Sequence, residues 1–317
     1  MIDRHKMQTD LEANLVEQSF VITEEMSCVR LDALLFEKLR LAKPKYLKLI
    51  TEGRIRLNGR VVLEGSPRPS AGSVIEILKE TSHPEVLPEN IPLNILHEND
   101  DCFVIDKPAG MAAHPGPRHC AGTIANALRA LQRPLSFVEG SLRPGIVHRL
   151  DIGTSGVMVI AKHDASHIRL VNLFKKHAIH KEYLAIIRGV PEWDDYSLKT
   201  CLRPKSSKRK GYVVGEKGKE AQTLFTVVKR NKQLSVIVAK PITGRTHQIR
   251  VHLSHLGFPI LGDTIYGGGS LAATIAARFL MHRPALHAMS LKCEELKLDV
   301  HAPIPADMLA VLEDTKS

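Results

Sequence analysis

The chain has 317 residues, 44% of them hydrophobic, enough for a buried core and more than one compact unit. Its longest apolar stretches fall short of the ~20 residues of a membrane span, and its opening lacks the apolar core of a secretory signal, so a cytoplasmic protein with no membrane partner is expected. Forty-four Lys and Arg against 34 Asp and Glu give a formal net charge of +10, which points to a polyanionic partner, in the cytoplasm a nucleic acid.

Residues 1–19 read as an N-terminal extension, and 20–80 as a small α/β module. "VRLDALLFEKL" repeats apolar residues at 31, 34, 35 and 39, and "KPKYLKLITEG" has Pro44 suited to a first helical turn and Gly53 to a stop; two short helices are predicted. "RIRLNGRVVL" alternates around Asn58-Gly59, a type I′ hairpin signal, and "AGSVIEIL" adds a strand. Arg30, Lys43, Lys45, Lys48, Arg54 and Arg56 make this module basic, so they are candidate RNA contacts; the alternative is a solvated charged face on a structural module. Residues 28–78 resemble the S4 RNA-binding domain in "RLDALL", "LITEGRIRLNG" and "GSVIEI", which implies a grip on structured RNA through shape and phosphates.

"KETSHPEVLPENIPLN" has no periodicity and reads as a linker centred on 81–92. From 93 to 317 strand patterns ("CFVIDKP", "GVMVIAK", "HKEYLAIIRG", "TLFTVVKR", "LSVIVAK") mix with helical ones ("TIANALRAL", "HIRLVNLFKKH", "HQIRVHLSHLG"). An α+β domain on a mixed, largely antiparallel sheet is expected. "RPKSSKRKG" forms a basic loop whose Lys208, Arg209 and Lys210 are further candidate phosphate contacts.

One segment departs from this pattern. "GIVHRLDIGTSGVMVIAK" places His148, Arg149, Asp151, Thr154 and Ser155 between two runs of buried-strand character. Ser155 is not in a GxSxG elbow, no GxxxxGK[ST] loop occurs, and "GGGSLA" opens no GxGxxG turn, so hydrolase-triad, nucleotide and dinucleotide readings are weak and no cofactor is expected. The five scattered cysteines form no CxxC pair, and His247, His252 and His255 lack a carboxylate or cysteine at close ligand spacing; reduced thiols and core or capping histidines are expected, not a metal site. What remains is Asp151. A buried carboxylate needs a cation, and "PITGRTHQIRVHL" can supply one: Gly244 lets the chain turn before Arg245, with Arg250 further along the helix. Such a neighbour would keep the aspartate ionised as an oriented nucleophile, although a structural Asp–Arg staple reads the same way.

The whole segment resembles the HRLDxxTSG signature of the RluA-type pseudouridine synthases. "VIDKPAGMAAHPG", "HKEYLAIIRG", "GRTHQIRVHLSHLGFPILGDTIYGG" and "RPALHAMSL" match further motifs in order over 93–305, and an S4-like module in front is the arrangement of the RluC/RluD-like subgroup that modifies large-subunit ribosomal RNA. The resemblance implies an isomerase that converts uridine to pseudouridine with no metal or cofactor. It implies catalytic roles for Asp151, Tyr183 and Arg245, with Arg245 pairing Asp151, and substrate contacts from His148, Arg149, Thr154, Arg250 and Leu286. A monomer acting on large-subunit ribosomal RNA is the expectation; transfer RNA as substrate, an inactive ribosome-assembly factor, and a metal-assisted RNA hydrolase on the histidine cluster are the alternatives.

Overall fold

Strands form where apolar residues alternate and helices where they recur at helical spacing, in a computed structural model that describes residues 16–39, 47, 49–62, 65, 67–78, 86–116, 119–205, 211–267 and 276–314. The chain divides into two units, Met1–Pro92 with His114–Ile146, and Leu93–Ala113 with Val147–Ser317.

In the first unit β1 (Val16–Val21), β2 (Ile55–Leu57), β3 (Arg60–Val61) and β4 (Val74–Leu78) make an antiparallel sheet in the order β1-β4-β2-β3. The β2–β3 turn has Asn58 and Gly59 at φ 50° and 73°, the left-handed pair that a type I′ hairpin requires. Helix α1 (Leu31–Leu39) turns Leu31, Leu34 and Leu35 into a core with Ile22, Ile50, Ile55 and Ile75. Each such side chain, once buried, contributes about 1.5–3 kcal/mol. Helix α2 (Ile124–Ala130) starts at a capping box of Thr123 and Asn126. The candidate contacts Lys43, Lys45 and Lys48 lie outside the described residues, as do 79–85 of the expected linker; residues 86–93 carry neither helix nor strand.

The second unit holds β5 (Asn94–Glu98), β6 (Cys102–Lys107), β7 (Ser155–Ala161), β8 (His180–Arg188), β9 (Asp195–Pro204), β10 (Tyr212–Gly215), β11 (Lys219–Arg230), β12 (Leu234–Pro241), β13 (Leu286–Cys293) and β14 (Leu298–His301). They form one sheet, β10-β9-β11-β12-β8-β13-β7-β6-β5, with β14 on β13. Among the described pairs only β7 with β13 is parallel, so the sheet is mixed and largely antiparallel, as expected of this α+β chain. Helix α3 (Asp164–Lys175) packs Leu170 and Leu173 against Val157, Val159 and Leu291, while α4 (Gln248–His255) and α5 (Ala306–Asp314) pack Leu253, Met308 and Val311 against Ile186, Phe225 and Ile237. Strand β7 is buried at every position, which explains its unbroken apolar run. Its Gly156, at φ 111°, lies so close to β13 that a Cβ there would sit 2.1 Å from the Ala288 carbonyl oxygen.

Candidate active site

The centre of the larger sheet brings three sequence segments together. Register places Ala288 of β13 beside both Gly156 of β7 and Tyr183 of β8, with Leu286 at the start of β13. Asp151 lies in the loop that enters β7, and Thr154, buried in that loop, donates its N–H to the Asp151 carbonyl at 3.0 Å. The same loop is held from behind: Ile152 O accepts from Gly110 N at 2.7 Å and from Lys107 Nζ at 3.4 Å. Lys107 is fully buried, and burial lowers its pKa to about 7. These segments open onto a cavity of about 580 Å³ lined by Arg149, Asp151, Tyr183, Arg245, Arg250 and Leu286 among others.

The cation on Asp151 is Arg250, whose Nη1 donates to Oδ2 at 3.1 Å. Arg250 also forks onto Asp263, Nε to Oδ2 at 2.7 Å and Nη2 to Oδ1 at 2.9 Å. Burial alone would lower the Arg250 pKa; the bonds and charge of Asp263, then those of Asp151, outweigh it and raise the value. Asp263 is itself fixed, accepting from Ile265 N at 2.9 Å and Tyr266 N at 3.1 Å. Tyr266 lies 5.1 Å under the Arg250 guanidinium and receives the Tyr212 N–H on its hydroxyl at 2.8 Å. That leaves its own O–H free to donate to His247 Nδ1, 2.8 Å away, which in turn puts the His247 Nε2–H toward Asp151 Oδ2 at 3.8 Å. Burial lowers the His247 pKa against the opposing pull of Asp151.

The expected pairing of Arg245 with Asp151 is therefore corrected. Arg245 is exposed at the cavity and donates Nε to Glu220 O at 2.8 Å. The tight turn expected at Gly244 is likewise at His247, whose φ of 58° is left-handed, while a Cβ at 244 would meet open space. The buried Gln248 fixes this turn: its Oε1 accepts from Thr243 Oγ1 at 2.7 Å and Arg245 N at 3.0 Å, and its Nε2 donates to Gln222 O at 2.9 Å. Because the first turn of α4 then faces inward, Arg250 reaches the carboxylates and Arg245 does not.

The other predicted site residues divide. Tyr183 is half-buried on the cavity wall, and burial, reinforced by Asp151, pushes its phenol pKa up. Leu286 and Thr154 are buried there, and Arg149 is exposed. His148 also lines the cavity, but its Nε2 accepts the Val159 N–H at 2.9 Å and its ring packs on Phe174 at 4.7 Å. Burial, with the Lys181 charge, lowers its pKa to about 3, so it is a neutral strut of β7. His252 is buried between the hydroxyls of Thr200 and Thr223, each 2.9 Å from a ring nitrogen. Within the first unit, Arg30 forks onto Asp32. Arg54 is a correction: its side chain is buried, donating to Leu78 O at 2.8 Å and Glu17 at 3.0 Å, so it braces β4 and does not project to an RNA. The Arg56 Nε is buried, and Lys208, Arg209 and Lys210 lie outside the described residues. Sequence reading missed Asp263, Tyr266 and Gln248, and it weighed His247 only as a core, capping or metal-cluster histidine; the one signal for Asp263 was an aspartate in a turn after Gly262, where its carboxylate caps the following N–H groups.

A family model described as RNA pseudouridylate synthase matches residues 101–255. An uncharacterized RNA pseudouridine synthase of Aquifex aeolicus is 41% identical over 223 residues, 69% of this chain and 71% of that one. The ribosomal large subunit pseudouridine synthase D of Haemophilus ducreyi is 35% identical across 95% of this chain and 96% of its own. Among solved structures, human RNA pseudouridylate synthase domain containing 1 shares the fold at a TM-score of 0.55 and 22% identity, covering 72% of this chain and 96% of its own. With relatives of this identity covered nearly end to end, the chain belongs to the RNA pseudouridine synthases.

Proposed function

We propose that this enzyme isomerises uridines in large-subunit ribosomal RNA, with Asp151 as the group that acts on the nucleoside. The observation that carries the assignment of Asp151 is its placement: a carboxylate tied to Arg250 on the floor of a cavity that also presents Tyr183 and Leu286. The reaction breaks the C1′–N1 bond, turns the uracil and forms C1′–C5, while C5 loses a proton and N1 gains one; it balances without an oxidant or a second substrate. Asp151 either adds to C1′ as the base departs or removes a ribose proton. Tyr183, kept a neutral phenol by burial, stacks on the flipped uracil, Leu286 packs on it, and Arg149 at the cavity mouth helps to displace it from its helix. Five cations and one carboxylate line the cavity, a balance suited to an anionic strand.

The large-subunit assignment rests on the relatives named for that activity, one of which aligns with 95% of this chain. Within this reading the N-terminal S4-like module grips the folded RNA, and the protein acts as a cytoplasmic monomer. The test is tritium release from a large-subunit ribosomal RNA transcript labelled at uridine C5. Asp151→Asn is expected to lower release by more than about 10³-fold with the fold intact by circular dichroism; release at the wild-type rate would remove Asp151 from the chemistry, and no release by the wild-type enzyme would remove the substrate assignment.

A further inference from the structure

The cavity charges do not balance, and the imbalance has a location. Arg250 is spent on Asp151 and Asp263, which leaves Arg149, Lys175, Lys181 and Arg245 as the other cations of the lining. Lys181 stands apart from the other three because it is half-buried while they are exposed. It lies on β8 two residues before Tyr183, so the two side chains leave the same face of the strand roughly 7 Å apart. Glu182 between them points to the opposite face and pairs with Lys240 at 2.6 Å, so it offers Lys181 no counter-charge. The Lys181 ammonium lies over the Phe174 ring, 5.5 Å from its centroid, and no carboxylate pairs with it among the described residues. Burial accordingly lowers its pKa. A desolvated ammonium held over an aromatic ring, inside a cavity, is a half-built anion site. Lys175, at the last turn of α3, adds a second positive charge to the same lining.

We infer that Lys181, assisted by Lys175, seats a phosphodiester of the RNA strand adjacent to the nucleoside held by Tyr183 and Leu286. The inference rests on the functional reading above and adds to it a contact to the backbone rather than to the base. One strand face would then carry the two grips a flipped nucleotide needs, an aromatic ring for the base and an ammonium one pleat away for the flanking phosphate. Because the contact is reached only by a nucleotide turned into the cavity, it would help to offset the cost of flipping, a few kcal/mol.

Each phosphate neutralised by a protein cation steepens the salt dependence of binding by about 0.7 to 0.9 in log–log slope. Retention of a large-subunit ribosomal RNA transcript by the full-length protein, across a series of KCl concentrations, reads this directly. For Lys181→Met the slope is expected to become shallower by about 0.7 to 0.9, with a rise in Kd at low salt and in KM for tritium release, and Lys181→Arg is expected to restore both. Lys175→Met, at an exposed position, is expected to shift the slope in the same direction and carries the test should Lys181→Met fail to fold. An unchanged slope in a folded variant would overturn the inference, as would a fall in kcat at constant Kd and KM, which would mark Lys181 as acting on the chemistry or only covering Phe174. If wild-type protein releases no tritium, the functional reading fails instead; if it does and the slope is unmoved, only the phosphate seat is lost.

Discussion

The floor of the cavity and its rim use the same residue types to opposite ends. On the floor the Arg250 side chain is 7% exposed, and its Nε, Nη1 and Nη2 each meet a carboxylate oxygen, shared between Asp151 and a fully buried Asp263. At the rim Arg245, five residues earlier, is exposed and spends its Nε on one main-chain carbonyl. Desolvation makes the difference. A buried charge without a partner is costly, so the floor must be closed and stoichiometric; rim charges are screened by water and salt and can shift onto an arriving anion at little cost. A rigid centre that holds one carboxylate is thus surrounded by a collar of solvated, adaptable cations.

Removing the shared cation is the hardest blow to the floor. Arg250→Met strands Asp263 in the interior and is expected to lower unfolding free energy by about 3–5 kcal/mol in urea titrations. Arg250→Lys keeps the charge but cannot span two carboxylates with one ammonium, so it should cost more in tritium release than in stability. If Arg250→Met were as resistant to urea as the wild type, the closed network would not be what fixes Asp151.

A second, smaller effect follows from the histidines behind the floor. His252 is 0% exposed, and burial lowers its pKa to about 4 while the unfolded chain titrates near 6.5. Between those values the unfolded chain binds more protons than the folded one. Stability is therefore fully present above pH 6.5 and falls as the pH drops toward 4, by up to about 1.4 kcal/mol per pH unit. His148, with its pKa near 3, acts in the same direction. Urea titrations above and within this window should show the decline, and His252→Asn should flatten part of it; an equally steep decline in that variant would place the titrating group elsewhere.

How much of this was legible beforehand depended on whether the cause was local. The Asn58-Gly59 hairpin, the buried run of β7 and the helices α1, α3 and α4 are written in turn chemistry and periodicity, and they formed as expected. Strands β9 and β10 were not picked out, because β9 is mostly exposed or half-buried, with Leu202 alone buried, and takes its register from β11 rather than from its own pattern. Asp151, Tyr183 and Leu286 were marked by motif, and the sheet does line them along one cavity. The choice between Arg245 and Arg250 was not legible, since it turns on which way the first turn of α4 faces, and that is fixed by Gln248 reaching the Gln222 carbonyl on β11. Asp263 was hidden for the same reason: it meets Arg250 only after the 256–263 segment has folded back on α4.

The glycines draw the same contrast at the smallest scale. Gly156 backs the floor, where β7 and β13 approach too closely for any side chain and φ is 111°. Gly244 at the rim has open space around its Cα, and its φ lies outside the left-handed region. The turn it occupies is already pinned on both sides, by Thr243 Oγ1 and Arg245 N on the Gln248 carbonyl. A methyl group there meets nothing in the folded state but restricts the unfolded chain, so Gly244→Ala is expected to stabilise by about 0.4–1 kcal/mol. A rise in Tm would locate the demanding backbone position at His247; a fall would mean that the rim, like the floor, depends on a glycine.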